Sequence, residues 1–110
     1  FVVMVLDVRH RLIGMHTLAI GSLSANLVHP RELLKVAILS NAGALIVAHN
    51  HPSGDPQPSE ADVTLTARLV EACRLVGIKL LDHLILATGG TVSLCEAGWG
   101  TRPRRGALFR

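Results

Sequence analysis

Apolar and polar positions along this chain follow two periods in turn. The opening run Phe1 to Val8 is apolar apart from Asp7. After the polar pair Arg9 and His10, Arg11 to Ser22 reads as a second strand folded back on the first, with Gly14 and Met15 as a candidate bulge. Pro30 suits the first turn of a helix that runs to about Asn41 and buries Leu33, Leu34, Ala37 and Ile38. Ser40 and Asn41 read as caps, and Gly43 as the residue that closes this helix. Ala44 to Ala48 is a short apolar run of the kind a buried strand shows, and it ends at His49. A second helical pattern runs from Ser59 to Val76 and is closed by Gly77. Strands follow over Lys79 to Ala87 and Thr91 to Cys95, around a Thr88-Gly89-Gly90 turn. Strands around two helices make an α/β domain, a mixed sheet flanked by helices.

The second helix carries one anomaly. With Asp62 set at zero and about 100° per residue, Leu65, Leu69, Cys73 and Val76 fall within about 60° of it, whereas Glu60, Thr64, Arg68, Glu71 and Arg74 fall opposite. A carboxylate on the core stripe needs a cation or hydrogen-bond donors. Two imidazoles lie eleven residues or more upstream. His49 and His51, at i and i+2 of an extended chain, point to the same side and leave Asn50 facing away. Pro52, Gly54, Pro56 and Pro58 then make the connection to the helix stiff. Two imidazoles and a carboxylate form a three-ligand set that fits a catalytic zinc site with a fourth position for water. Two plainer readings stand beside it. Ser59 and Asp62 have the spacing of a capping box, which is compatible with a ligand role, and a His-x-His pair also occurs without metal. A zinc nuclease is a third reading, because the letters His-Asn-His match an endonuclease motif, but they are contiguous here, whereas that fold spreads them over a ββα-metal finger.

Composition narrows the setting. The chain has 110 residues, of which 49% are hydrophobic, enough for one small globular domain. No run approaches the roughly 20 apolar residues of a membrane span, so no membrane partner is expected and a cytoplasmic location is the default. Cys73, on the apolar helix face, and Cys95 are expected to be free thiols. The net charge of +3 owes much to Arg102, Arg104, Arg105 and Arg110, so residues 99–110 read as a disordered basic tail. With aromatic content at 3%, stacking platforms are scarce, and direct nucleic-acid binding is only weakly supported.

The pattern His49-x-His51-Pro52, Ser59 and Asp62 resembles the JAMM motif of the JAB/MPN metalloprotease superfamily. The wider run Ala48 to Asp62, together with Ile20-Gly21-Ser22-Leu23, Val28-His29-Pro30-Arg31-Glu32 and Gly77 to His83, is similar to the RadC-like bacterial branch, a family labelled with DNA repair. The likeness covers nearly the whole chain. It implies a cytidine-deaminase-like three-layer domain over residues 1–98. It also implies that His49, His51 and Asp62 bind Zn²⁺ and that Ser59 helps stabilise the oxyanion of a tetrahedral intermediate. The general base of that superfamily is a glutamate next to an early strand, which the resemblance places just upstream of Phe1. The chain begins at Phe1 without an initiator Met and opens directly in a strand-like run, so it reads as a fragment; Asp55 and Glu60 do not match the base position, and Glu32, Glu71 and Glu96 are expected on helix or strand-end surfaces.

The implied activity is hydrolysis of peptide or isopeptide bonds in a peptide or protein substrate. The alternative is a non-catalytic zinc-binding or structural module that engages protein or DNA partners. Oligomeric state is left open, since an exposed opening strand could pair with a copy of itself. Among the other histidines, His29 reads as a local hydrogen-bonding residue ahead of Pro30, and His10 and His16 as half-exposed hairpin residues. Asp82 and His83, adjacent in a strand, point to opposite faces. His83 is the expected supporting group, and Asp82 a candidate to orient a ligand imidazole.

Overall fold

In a computed structural model of the chain, residues 1–19 and 28–97 are described, so the end of the expected second strand and the expected basic tail lie outside the described residues. β1 (Val2–Leu6) pairs antiparallel with β2 (Leu12–Thr17) on one side and with β3 (Ala44–Asn50) on the other. β4 (Lys79–Ala87) pairs parallel with β3 and antiparallel with β5 (Gly90–Ser93), giving the mixed five-stranded order β2-β1-β3-β4-β5. The opening strand is thus internal, not an edge free to pair with a copy of itself. The edges of this sheet are β2 and β5.

The first hairpin is shorter than the apolar pattern suggests, because Asp7 organises its turn. The Asp7 carboxylate accepts the amides of Arg9 and Arg11 and pairs with Arg11 Nε at 2.8 Å, while His10 adopts a left-handed φ of 62°. Hydrogen bonding to the charged form, first from the Arg11 amide, holds this carboxyl below its usual range. The β1 pairing passes from Val5 opposite Gly14 to Leu6 opposite Leu12. Ile13 is therefore the extra residue of a bulge, directly before Gly14.

α1 (Pro30–Leu39) starts as its sequence dictates. His29 is the N-cap, and its Nδ1 accepts the Arg31 amide at 3.1 Å. Ser40 is the C-cap, and Asn41, at φ 53°, takes the left-handed position that turns the chain out of the helix. Gly43 has a different task from closing the helix. Its amide donates to the Leu6 carbonyl, and a Cβ there would stand 2.7 Å from Val8 Cα. Leu33 and Ala37 are fully buried, but Ile38 is 56% exposed, contrary to the expected face, because the last turn with Leu39 lies outside the packed cluster.

α2 (Glu60–Leu75) connects the parallel strands β3 and β4, so its first turn begins near the C-terminal end of β3. Leu65, Leu69 and Cys73 lie on the buried stripe as the periodicity predicts. Val76 does not, because it is the C-cap, with non-helical φ −105° and ψ 9°, and the projection that places it on the stripe ends with the helix. Gly77 follows at φ 75°. The buried apolar residues of both helices join Val3, Val5, Leu45 and Val47 of the sheet in a single apolar cluster. Both cysteines are free. Burial pushes the Cys73 thiol up to about 11, so it packs as a small apolar group. Among the described residues no helix is long and apolar enough to cross a membrane.

The contact between Gly43 and Val8 locks the turn after β1 against the start of β3. Gly43→Ala is expected to cost on the order of 1–3 kcal/mol through backbone overlap. Thermal unfolding followed by circular dichroism should show a fall in Tm of at least about 4 °C, and an unchanged Tm would contradict that close packing.

Candidate metal centre

His49 is the sixth residue of β3, and the strand ladder continues past its end. The His51 amide donates to the Leu86 carbonyl at 2.8 Å, which keeps the chain extended and puts both imidazoles on one side. Their ring centroids are 4.9 Å apart. Across from them, Asp62 occupies the third position of α2 in a complete capping box. The Ser59 amide donates to Asp62 Oδ2 at 2.8 Å, and Ser59 Oγ accepts the Asp62 amide at 3.1 Å. The plainer reading of Ser59 and Asp62 is therefore present, and it coexists with the cluster. His49 Nε2 lies 3.2 Å from Asp62 Oδ1 and His51 Nε2 lies 2.9 Å from Asp62 Oδ2. One donor atom from each of the three residues lies within 4.8 Å of the others, so this group can hold a metal ion.

The outer wall of the cluster is the stiff loop. His51 Nδ1 donates to the Asp55 carbonyl at 2.9 Å, while the Asp55 side chain accepts the Gln57 amide. A carbonyl oxygen only accepts, so the proton of a neutral His51 sits on Nδ1 and the Nε2 lone pair faces Asp62. The loop rests on the turn between β4 and β5. The Gly89 amide donates to the Gly54 carbonyl at 3.0 Å, and a Cβ at Gly89 would come within 2.5 Å of that same oxygen. Gly54 itself has φ 87°. Glycine at both positions lets the loop sit close enough for Asp55 to meet His51.

The inner wall is a buried histidine. His83 is fully buried, with Nε2 2.8 Å from His49 Nδ1 and Nδ1 2.6 Å from Thr66 Oγ1. Burial first, then the neighbouring His49, lower its pKa to about 3, against an upward pull from Asp62, so the ring is neutral. Phe1 stacks on His49 at 5.9 Å and meets His83 edge-on at 5.7 Å. Asp82 does not orient a ligand imidazole. Its carboxylate faces the other way, accepting from the Ser93 hydroxyl and the amides of His83 and Cys95, and so ties the end of β5 to β4. Thr66 is a supporting residue that sequence reasoning passed over. Its signal was its place four residues after Asp62, on the same helical face.

Burial works against an ionised Asp62. When His49 carries a second proton, on Nε2, its hydrogen bond and charge together with the bonds from Ser59 outweigh burial and hold the carboxyl well below the usual range. A carboxylate facing imidazole lone pairs at these distances requires a cation or protons between them. Two imidazole nitrogens and one carboxylate oxygen suit zinc and its first-row neighbours, so the donor set fits such an ion. Ser59 is exposed at the rim. Its oxygen accepts the Asp62 amide, which leaves its own proton free to turn outward. The glutamates Glu32 and Glu71 pair with Lys35 and Arg74, and Glu60 and Glu96 are exposed.

Gly89→Ala should displace the loop that orients His51 without touching a candidate ligand. Titration with Zn²⁺ or Co²⁺ is expected to show affinity lowered about tenfold or more, with the far-ultraviolet spectrum retained. Unchanged affinity would mean that the loop does not set the His51 geometry.

Comparison with known proteins agrees with this geometry. The family model described as the RadC-like JAB domain matches residues 1–99. A UPF0758 protein of Caldanaerobacter subterraneus subsp. tengcongensis is 50% identical over 99 residues, covering 90% of this chain and 42% of the relative. UPF0758 proteins of Xanthomonas campestris pv. campestris and Xanthomonas oryzae pv. oryzae are likewise 50% identical over 99 residues, covering 90% of this chain and 44% of each relative. The chain thus spans less than half the length of these curated relatives. The match over nearly the whole chain and the clustering of His49, His51 and Asp62 lead to one conclusion: the chain belongs to the RadC-like JAB domain family.

Proposed function

We propose that the chain is the metal-binding domain of a zinc-dependent hydrolase acting on peptide or isopeptide bonds, with His49, His51 and Asp62 holding the ion. The observation that carries this reading is the convergence of two imidazole Nε2 atoms on one partly buried carboxylate, at 3.2 and 2.9 Å. When bound, zinc supplies a Lewis acid and lowers the pKa of a coordinated water to about 7. His51 is kept in the metal-binding tautomer by Asp55, and Asp62 is kept ionised and aimed by the amide of Ser59. The Ser59 hydroxyl donates its remaining hydrogen bond to the oxygen on which charge develops as the substrate carbonyl is attacked. A protein or peptide substrate follows from the reaction, and a reducing cytoplasmic setting fits the two free cysteines.

Asp62→Asn tests the assignment without removing the side-chain acceptor of the cap. Elemental analysis of the parent chain should find about one zinc per molecule, and the variant should lose it, because the neutral amide is a far poorer ligand. In the complete polypeptide the same substitution should abolish cleavage of peptide and isopeptide substrates. Zinc retained at parent level in Asp62→Asn, or a parent that takes up none when supplied with the metal, would contradict the reading.

A further inference from the structure

The buried wall of the cluster has a direction, set by one hydroxyl. Thr66 Oγ1 donates to the Asp62 carbonyl at 2.7 Å, the bond from position i to i−4 that a helical threonine can make. A hydroxyl has one proton, so toward His83 Nδ1, 2.6 Å away, Thr66 Oγ1 can only accept. His83 must then carry its proton on Nδ1. Fully buried and bonded to a hydroxyl and an imidazole rather than a carboxylate, it is a neutral ring, which leaves a lone pair on Nε2. That lone pair accepts from His49 Nδ1 at 2.8 Å, so His49 keeps its proton on Nδ1 and turns Nε2 toward Asp62.

We infer that Thr66 and His83 form a buried tautomer lock that positions His49 as a ligand, with Thr66 setting the direction of every proton in the chain. The hydrogen bonds run from the backbone carbonyl of Asp62 through Thr66 and His83 to His49 Nδ1, and His49 Nε2 then faces the carboxylate of the same Asp62 at 3.2 Å, the gap a cation would bridge. One residue therefore provides both a candidate ligand and the anchor that orients another, and α2, β4 and β3 are held in a fixed relation at the site. His51 has an independent lock, the Asp55 carbonyl in the loop. His83 and Thr66 act through His49 and touch neither ion nor substrate, so they are positioning residues. The inference rests on the metal-binding reading for its purpose but not for its hydrogen-bond geometry.

Nitrogen-15 NMR of the imidazoles tests it in both the metal-free and the zinc-loaded protein. The expected result is a proton covalently bound to His49 Nδ1, with a scalar coupling across the hydrogen bond to His83 Nε2. Thr66→Val keeps the shape of the side chain but removes its proton and its acceptor. It should lose that coupling and bind zinc about 10- to 100-fold more weakly in competition with a chromophoric chelator, and Thr66→Ser should restore both. A merely structural threonine would change Tm without moving the coupling. A proton found on His83 Nε2 in the parent, or a Thr66→Val protein with the parent's coupling and zinc affinity within twofold, would overturn the inference. Should Thr66→Val not fold, the proton's address in the parent decides alone. Should the parent take up no zinc, the metal reading fails while the tautomer is still read in the metal-free protein.

Discussion

Two imidazole nitrogens aimed at a single carboxylate is an arrangement that a folded chain sustains only with positive charge between them. The rest of the site serves to hold that arrangement in place. Asp62 sits where burial alone would favour its neutral form, and hydrogen bonds from its surroundings outweigh burial and keep it ionised. The outward nitrogens of both histidines are occupied, one by a loop carbonyl and the other by a buried ring. Neither imidazole is therefore free to turn its Nδ1 proton toward the carboxylate, and a cation satisfies the two Nε2 atoms and the carboxylate together.

The fold makes this meeting short-range. β3 and β4 are parallel neighbours, so the helix between them must start near the end of the first strand, and that crossover brings the first turn of α2 to His49. The capping box then fixes the turn itself, which places Asp62 to within the freedom of one side chain. The paired glycines Gly54 and Gly89 hold the intervening loop down on the β4–β5 turn, and Phe1 closes the apolar side. Elements that look like ordinary stabilising features, a cap, a tight turn and an aromatic contact, all converge on the same few ångströms.

Much of this was legible in the sequence because the relevant signals are local. The strand end before His49, the i and i+2 spacing of His49 and His51, and the inward register of Asp62 depend only on backbone periodicity. The misreadings occurred where periodicity stops or where side chains meet across elements. Val76 and Ile38 project onto buried faces only if their helices continue or are covered to the last turn, and neither is the case. Gly43 has the sequence position of a helix stop, yet Asn41 makes the left-handed turn and Gly43 is needed by Val8, 35 residues away in sequence. Likewise, periodicity could say that Asp82 and His83 face opposite ways, but not which face held the site. That depended on β5, whose serine and backbone amide claim Asp82.

The central claim is that His49 and His51, each through Nε2, and Asp62, through its carboxylate, close on one divalent ion. The most direct measurement is an anomalous difference map at the zinc edge from crystals of the zinc-loaded protein. The account predicts a single peak within about 2.0–2.2 Å of both Nε2 atoms and an Asp62 oxygen, with the Nδ1 of His49 still hydrogen-bonded to His83. A peak elsewhere, or ligation of His49 through Nδ1 with the His83 contact broken, would contradict it.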